Sequence, residues 1–365
     1  TYIYKGCTVA YAESVETVGE NLLEIRPHIM VSVPRVFEKI YSRVIDNVLA
    51  SSSLKRKIFF WAANVGRKYS RYKLNNQPIP GLLQFKRNLA HKLVFSKIIE
   101  KTGGRVKFFV SGGAALSKDI AEFFYAMGLV VLEGYGLTET SPVIAVNTFE
   151  NLRFGSVGKP IPGVEVKIAD DGEIMTRGPH IMEGYYKMPA ETEEAMEREW
   201  FKTGDIGYID DDGFLVITDR KKDLIVTSGG KNVAPQMIEN ILKTQPFITN
   251  AVVVGDSRKF ISALIVPDFD KLEAYAKEKN ITYSNNKELV ENEAIIKKME
   301  DEVAKSSQNL ASYEQVKKII ILDRDFELEE GEITPSLKVK RNIVQKKYAD
   351  KIESLYAGQA DFPNQ

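Results

Sequence analysis

The sequence predicts an α/β protein: a βαβ sheet layer, then a small antiparallel β subdomain, then a smaller α+β C-terminal domain. Three observations carry this. Apolar runs at 29–34 (IMVSVP), 105–110 (RVKFFV) and 129–132 (LVVL) alternate with helical periodicity, the pattern of strands joined by helices. From about 143 to 220 short strands alternate with Gly/Pro turns, as in a small antiparallel sheet or barrel. Beyond that, AVVVGD, SALIVPD and VKKIIIL read as three more strands, with helices near 270–279 and 287–305.

The 365 residues suffice for two or three domains with sizeable cores. Lys+Arg and Asp+Glu are both 50, so charge argues for neither nucleic acid nor an acidic partner. Cys7 is the only cysteine, which excludes an internal disulfide and fits a reducing cytosol. His28, His91 and His180 have no ligand spacing, so no zinc site is expected. No apolar run is long enough to span a bilayer, and no signal peptide opens the chain. TYIYKGCTVAYAES carries no Met and reads as mid-domain strand and turn, so a fragment is expected.

In chain order, Pro34 suits the start of a helix, where its missing N–H costs nothing. Val36, Ile40, Val44 and Val48 give that helix an apolar stripe. Helical stretches at 53–73 and 82–101 follow, separated by NNQPIPG and rich in Lys and Arg. Such a basic hairpin suits an anionic membrane surface or, as is more common, a solvated face. RVKFFV empties into SGGAALS, a helix runs over 118–127, and LVVL leads into GYGLTETSP at 134–142. This is one βαβ unit with both glycine loops at one sheet edge, where open α/β sheets bind ligands. Tyr135 offers a flat face between Gly134 and Gly136, which allow close backbone approach. Thr138 can donate to a phosphate, and Glu139 can hold a hard cation such as Mg²⁺. A glycine-rich surface turn with a solvated Glu accounts for the run equally well.

In WFKTGDIG, Asp205 sits in a Thr-Gly-Asp corner, able to accept from two ribose hydroxyls or to cap a turn. DDDG at 210–213 is a turn without the alternating acids of a calcium loop. TDRKKD at 218–223 is a charge run between the strands FLVIT and LIVTS, which suits a hinge. SGGKNVAP resembles a phosphate loop but lacks Walker spacing, and Pro235 opens a helix through Leu242. EITPSLKVKRN closes the second domain with Lys338, Lys340 and Arg341, readable as several solvated charges.

Together and in this order, GYGLTETSP, WFKTGDIG, VITDRKKDLIVTSGGKNVAP and ITPSLKVKR resemble the adenylate-forming superfamily. Its members include acyl-CoA synthetases, luciferases and peptide-synthetase adenylation domains. SVPRVFEKIYSRV, the insert containing VGRKYSRYK, VKFFVSGGAAL and ASYEQVKKIIILDRDF are similar to the long-chain fatty acyl-CoA synthetase branch. The resemblance implies an AMP-forming ligase for fatty acid, ATP and CoA, with Mg²⁺, and no nucleic-acid partner. It implies residues 1–221 as part of the large domain (1–142 α/β with a helical insert, 143–221 the β subdomain) and 222–365 as a small mobile domain.

By position, the resemblance implies that Gly112, Gly113 and Ala114 line the adenine and the acyl head, and that Tyr135, with Gly136 beside it, stacks on adenine. Thr138 would bind the α-phosphate, Glu139 Mg²⁺, Asp205 the ribose hydroxyls, and Arg220 the ribose and phosphate. Lys222 would be the hinge, Gly229, Gly230 and Lys231 would face pantetheine, and Lys338 would be the adenylation lysine. Leu337 precedes Lys338 where the wider superfamily commonly has Gly, a change the long-chain branch tolerates. The family's phosphate loop ending in Pro-Lys-Gly is not in this sequence and would lie upstream of Thr1, so the chain alone is expected to be inactive in adenylation. A cytoplasmic location is expected, with peripheral membrane contact and a homodimer left open. Two alternatives stand beside the ligase. One is a non-catalytic nucleotide- or acyl-binding protein of the same fold. The other is an adenylation domain for another carboxylate, which in a peptide synthetase would call for a carrier domain after residue 365.

Overall fold

The computed structural model describes residues 4–15, 17–334 and 337–357. Helix α1 (Val18–Ile25) precedes strand β1 (Ile29–Ser32), and Pro34 opens α2 (Pro34–Leu49) at its first turn, as its fixed φ allows. The expected stripe is real: Val36 and Phe37 are buried, and Ile40, Val44 and Val48 pack on the same core. α3 (Ser53–Leu74) and α4 (Gly81–Ala90) form the basic hairpin. The second helix, expected to be continuous, is interrupted by a π-helical turn over His91–Phe95 before α5 (Ser96–Lys101). The βαβ unit follows as β2 (Phe108–Ser111), α6 (Lys118–Met127) and β3 (Val131–Gly136).

With β4 (Val143–Val146) and β5 (Lys159–Pro160) these strands make a five-stranded sheet of order β1-β2-β3-β4-β5. The first three are parallel, Ile29 opposite Phe108 and Phe109 opposite Val131; β3 and β4 are antiparallel. The core beneath it centres on Phe37, whose ring meets those of Phe109 and Phe124 edge-on at 5.6 and 5.9 Å, the orientation aromatic quadrupoles favour.

The β subdomain comprises β6 (Glu165–Ile168), β7 (Glu173–Arg177), a short α7 (Pro189–Ala195), β8 (Met196–Glu197), β9 (Trp200–Ile209) and β10 (Leu215–Arg220). Their sheet has the order β10-β9-β7-β6, with β8 on β9. Alternation along β9 buries Phe201, Thr203 and Asp205 on one face. Asp205 therefore belongs to a ten-residue strand and not to the corner read from Thr-Gly-Asp. Gly204 takes a left-handed φ of +70° inside this strand, a conformation open to glycine, so the chain passes through Thr-Gly-Asp without turning.

Beyond the TDRKKD segment lie β11 (Ile225–Val226), β12 (Asn232–Val233) and α8 (Pro235–Leu242). Then come β13 (Ile248–Val254), β14 (Ser262–Pro267), α9 (Phe269–Glu278), α10 (Asn286–Glu291), α11 (Glu293–Ser307), β15 (Lys318–Ile321), α12 (Arg341–Lys347) and α13 (Ala349–Tyr356). The helix expected over 287–305 divides at Asn292, whose side chain caps α11 by accepting from the Ala294 N–H at 3.0 Å. β14 pairs antiparallel with β13 and parallel with β15. Both faces of β13 are covered: Ala251 and Val253 face one apolar cluster, Val252 and Val254 another, which explains the unbroken apolar run in its sequence.

The described residues pack as two compact units. The first lies within Thr1–Lys167, Met175–Thr203 and Ile209–Val216; the second lies within Ile168–Ile174, Gly204–Tyr208 and Ile217–Gln365.

Candidate active site

In the first unit, β3 does not end at Leu132 as the apolar run suggested. It continues through Glu133, Gly134, Tyr135 and Gly136 because β4 supplies partners, Gly134 opposite Val146 and Tyr135 opposite Ala145. Tyr135 is buried within this extension, 9% exposed. Gly136 has no alternative: a Cβ there would lie 1.6 Å from the Pro142 carbonyl oxygen. Leu137 leads into one 3-10 turn, Thr138–Thr140. Thr140 Oγ1 closes it, accepting from the Leu137 N–H at 2.9 Å and donating to the Pro142 carbonyl at 2.6 Å.

That turn presents an exposed Thr138 and a half-exposed Glu139. Tyr185 Oη donates to Glu139 Oε1 at 3.1 Å, and the Met182 N–H donates to the Glu139 carbonyl at 2.8 Å. Among the described residues Glu139 Oε2 takes no hydrogen bond. No group of three His, Cys, Asp or Glu able to hold a metal occurs among the described residues. A single oriented carboxylate with one oxygen unbonded is a hard donor of the kind Mg²⁺ takes.

The glycine loop begins where β2 ends, with Ser111 in register with Glu133. The Gly112 N–H donates to the Ser32 carbonyl at 3.2 Å, and Gly113 and Ala114 are exposed beyond it. Beneath the loop, Glu133 is 6% exposed and accepts from the Leu116 N–H at 3.4 Å. Burial pushes its carboxyl up to about 8, and this one long hydrogen bond offsets little of that.

In the second unit, Arg220 Nε donates to Asp205 Oδ1 at 2.9 Å. The neighbours of Arg220 in the charge run have structural partners. Asp219, 1% exposed, accepts from the Arg220 and Gln236 N–H groups at 2.7 and 2.8 Å and so ties the start of α8. Burial raises its carboxyl to about 6 against those two donors. Lys221 pairs with Asp171 and Glu173 at 2.6 and 2.8 Å. Lys222 is exposed in the 3-10 turn Lys221–Asp223. Gly229, Gly230 and Lys231 are exposed between β11 and β12, their turn tied by the Lys231 N–H to Thr227 Oγ1 at 3.1 Å.

Lys338 stands on a tight loop. Ile333 and Val339 pair as an antiparallel bridge, the Thr334 N–H donates to the Lys338 carbonyl at 2.8 Å, and Thr334 Oγ1 accepts from the Lys338 N–H at 3.0 Å. Pro335 and Ser336 of this loop lie outside the described residues. Leu337 and Val339 pack on an apolar cluster, and Lys338 between them is half-buried. Burial and then the Arg220 charge hold the Lys338 ammonium below the usual lysine range, while Asp205 and Asp223 offset part of this. Three residues from distant sequence, Asp205, Arg220 and Lys338, thus share one electrostatic neighbourhood. Of the two charges beside Lys338, Lys340 is exposed as expected. Arg341 is not a solvated charge: its Nη2 donates to Glu239 Oε1 at 2.6 Å and its Nη1 to the Val253 carbonyl at 2.7 Å.

The AMP-binding enzyme family profile matches residues 1–186, and that of the AMP-binding enzyme C-terminal domain matches residues 222–360. The chain belongs to the AMP-binding enzyme family. It is 40% identical over 351 residues to the long-chain-fatty-acid–CoA ligase FadD15 of Mycobacterium bovis, covering 96% of this chain and 58% of that protein. It is 33% identical over 370 residues to human ACSBG2, named a long-chain-fatty-acid–CoA ligase, covering 93% of this chain and 54% of the relative. The chain thus spans a little over half the length of these curated relatives. Among solved structures, the A domain of a carboxylic acid reductase from Segniliparus rugosus, in complex with AMP and a co-purified carboxylic acid, superposes with a TM-score of 0.69 at 23% identity. That likeness covers 96% of this chain and 50% of the other, and it establishes the adenylate-forming fold.

In this AMP-binding enzyme, Gly112, Gly113, Ala114, Tyr135, Gly136, Thr138 and Glu139 fall in the first unit. Asp205, Arg220, Lys222, Gly229, Gly230, Lys231 and Lys338 fall in the second. Sequence reasoning missed Tyr185, which orients Glu139, because nothing in GYYK distinguishes it from a surface tyrosine. It also missed Glu133, whose place at the end of an apolar run was the available signal, and Glu332 and Thr334, which shape the Lys338 loop.

Proposed function

We propose that this AMP-binding enzyme serves an ATP-dependent long-chain fatty acid:CoA ligase. The fatty carboxylate attacks the α-phosphorus of ATP, pyrophosphate leaves, and CoA thiolate then displaces AMP from the acyl carbon. The observation that carries this reading is the gathering of Lys338, Asp205 and Arg220 in one neighbourhood. It supplies a desolvated ammonium and a guanidinium for a phosphate, and a carboxylate for ribose hydroxyls. The names of the curated relatives support the fatty substrate and CoA.

Each residue then has a chemical task. Gly112, Gly113 and Ala114 line the base and the acyl head, and Tyr135, with Gly136 beside it, stacks on adenine. Thr138 donates to the α-phosphate. Glu139, held by Tyr185, keeps Oε2 for Mg²⁺, which when bound neutralises charge on the leaving pyrophosphate. Asp205 accepts from the ribose, and Arg220 donates to ribose and phosphate. Lys338 neutralises charge as the bond to pyrophosphate breaks, a preorganised donor aimed at developing charge. Exposed Gly229, Gly230 and Lys231 receive pantetheine, and Lys222 is the hinge that lets the two half-reactions use different loops.

The test is fatty-acid-dependent ATP–pyrophosphate exchange by the intact protein. Lys338→Ala should lower it about 100- to 1000-fold, with thioester formation from supplied acyl-AMP and CoA largely retained, and Lys340→Ala should change little. Exchange with other carboxylates but not fatty acids would reassign the substrate. Nucleotide binding without exchange would make the protein a binding module.

A further inference from the structure

The helical hairpin takes no part in the chemistry proposed above, and its surface is unusual for a solvated face. Leu82, Phe85, Leu89 and Leu93 are 67%, 66%, 40% and 41% exposed. Spacings of three and four residues along α4 and its π-helical continuation set them in one outward stripe. The opposite side of the same helix is already used, with Ala90, Val94, Phe95 and Ile98 buried in the core of the first unit. The stripe is therefore not the packing face. Contiguous exposed apolar side chains rimmed by charge mark interaction surfaces.

The rim identifies the partner. Lys86, Lys92 and Lys97 are all exposed along the same helical stretch. Between Ser53 and Lys101 the sequence holds twelve Lys or Arg and a single acidic residue, Glu100. This concentration arises in a chain whose acidic and basic residues balance only in total, 50 of each, so the remainder is net acidic. An apolar stripe between lysines fits a surface that is apolar within and anionic at its edge, which describes an anionic lipid leaflet. No described helix is long and apolar enough to cross a membrane.

We propose that α4 and its continuation dock on an anionic membrane surface, with Leu82, Phe85, Leu89 and Leu93 seated among the acyl chains and Lys86, Lys92 and Lys97 on lipid headgroups. This inference is independent of the ligase reading, because it is read by binding and not by turnover.

The experiment is co-sedimentation of the chain with phosphatidylcholine vesicles, with and without phosphatidylglycerol. Binding should require phosphatidylglycerol and weaken with salt, because headgroup attraction is screened. Lys86→Gln/Lys92→Gln/Lys97→Gln should weaken it by about fivefold per lysine. Phe85→Ser/Leu89→Ser should weaken it at every salt concentration. All five positions are exposed, and unchanged circular dichroism in both variants confirms folding. Equal binding to both vesicle types, no binding to either, or wild-type binding by Phe85→Ser/Leu89→Ser would overturn the proposal. So would a lipid-free dimer that the same double substitution dissociates, which would assign the stripe to a second copy of the chain.

Discussion

Arg324 grips Glu332 with both ends of its guanidinium, Nη1 and Nη2 lying 2.8 and 2.7 Å from the two carboxylate oxygens. The Glu327 N–H donates to the same carboxylate at 2.9 Å, and Lys347 Nζ lies 3.2 Å away. Glu332 is fully buried, and its carbonyl accepts from the Lys340 N–H at 2.7 Å. The clamp therefore fixes the base of the loop that carries Lys338.

Burial alone would raise the Glu332 carboxyl, but Arg324, the Glu327 N–H and Lys347 outweigh it and hold it at about 2. A carboxyl depressed on folding stabilises the protein above its unfolded value, here 4.5, and loses that contribution as pH falls towards 2. Glu332→Gln breaks a buried ion pair and should cost about 3–5 kcal/mol at neutral pH, and its stability should fall less steeply in acid than the wild type's. Denaturant midpoints from neutral to acid pH measure both. Equal acid slopes would show that the clamp is not the titrating element.

Glu133 predicts the opposite pH dependence. Burial raises its carboxyl from 4.5 to about 8, so the folded state favours the protonated form. That contribution is complete below 4.5 and is lost as pH rises towards 8. Glu133→Gln keeps the neutral shape and should flatten the decline in stability between about pH 4.5 and 8. Thermal melts across this window in the two proteins check it. A decline just as steep in Glu133→Gln would refute the assignment.

Gly136 and Gly229 stand in two of the motifs that identify the family, yet they should respond differently to alanine. A methyl at Gly136 meets the Pro142 carbonyl oxygen at 1.6 Å, with backbone on both sides of the contact. The turn bearing Thr138 and Glu139 has to shift, at a cost of about 3 kcal/mol or more. At Gly229 nothing lies within 4 Å of the added carbon, and the change should stay within about 0.5 kcal/mol. Urea midpoints of the two variants test this. Similar losses in both would mean that the close approach at Gly136 does not matter.

Much of the architecture was legible in the chain because it is written within short windows. The i+4 stripe on α2 and Pro34 at a helix start depend on neighbours a few residues away. The antiparallel β region, the three-stranded C-terminal sheet and the basic hairpin were readable for the same reason. The motifs that place Tyr135, Asp205, Arg220 and Lys338 are also contiguous stretches, so the family could be identified without coordinates.

Other features depend on partners far away along the chain, and only the folded protein supplies them. β3 extends through Tyr135 because β4 satisfies its backbone groups, and no local signal in EGYG says so. Lys340 and Arg341 are adjacent basic residues with the same apparent character. One is exposed, while the other is held by Glu239 and the Val253 carbonyl, and packing against those elements makes the difference. The lowered ammonium of Lys338 likewise needs Arg220 brought beside it and water excluded around it. Charge and spacing can be read from residues in order, but desolvation and the distance between remote charges exist only once the chain has folded.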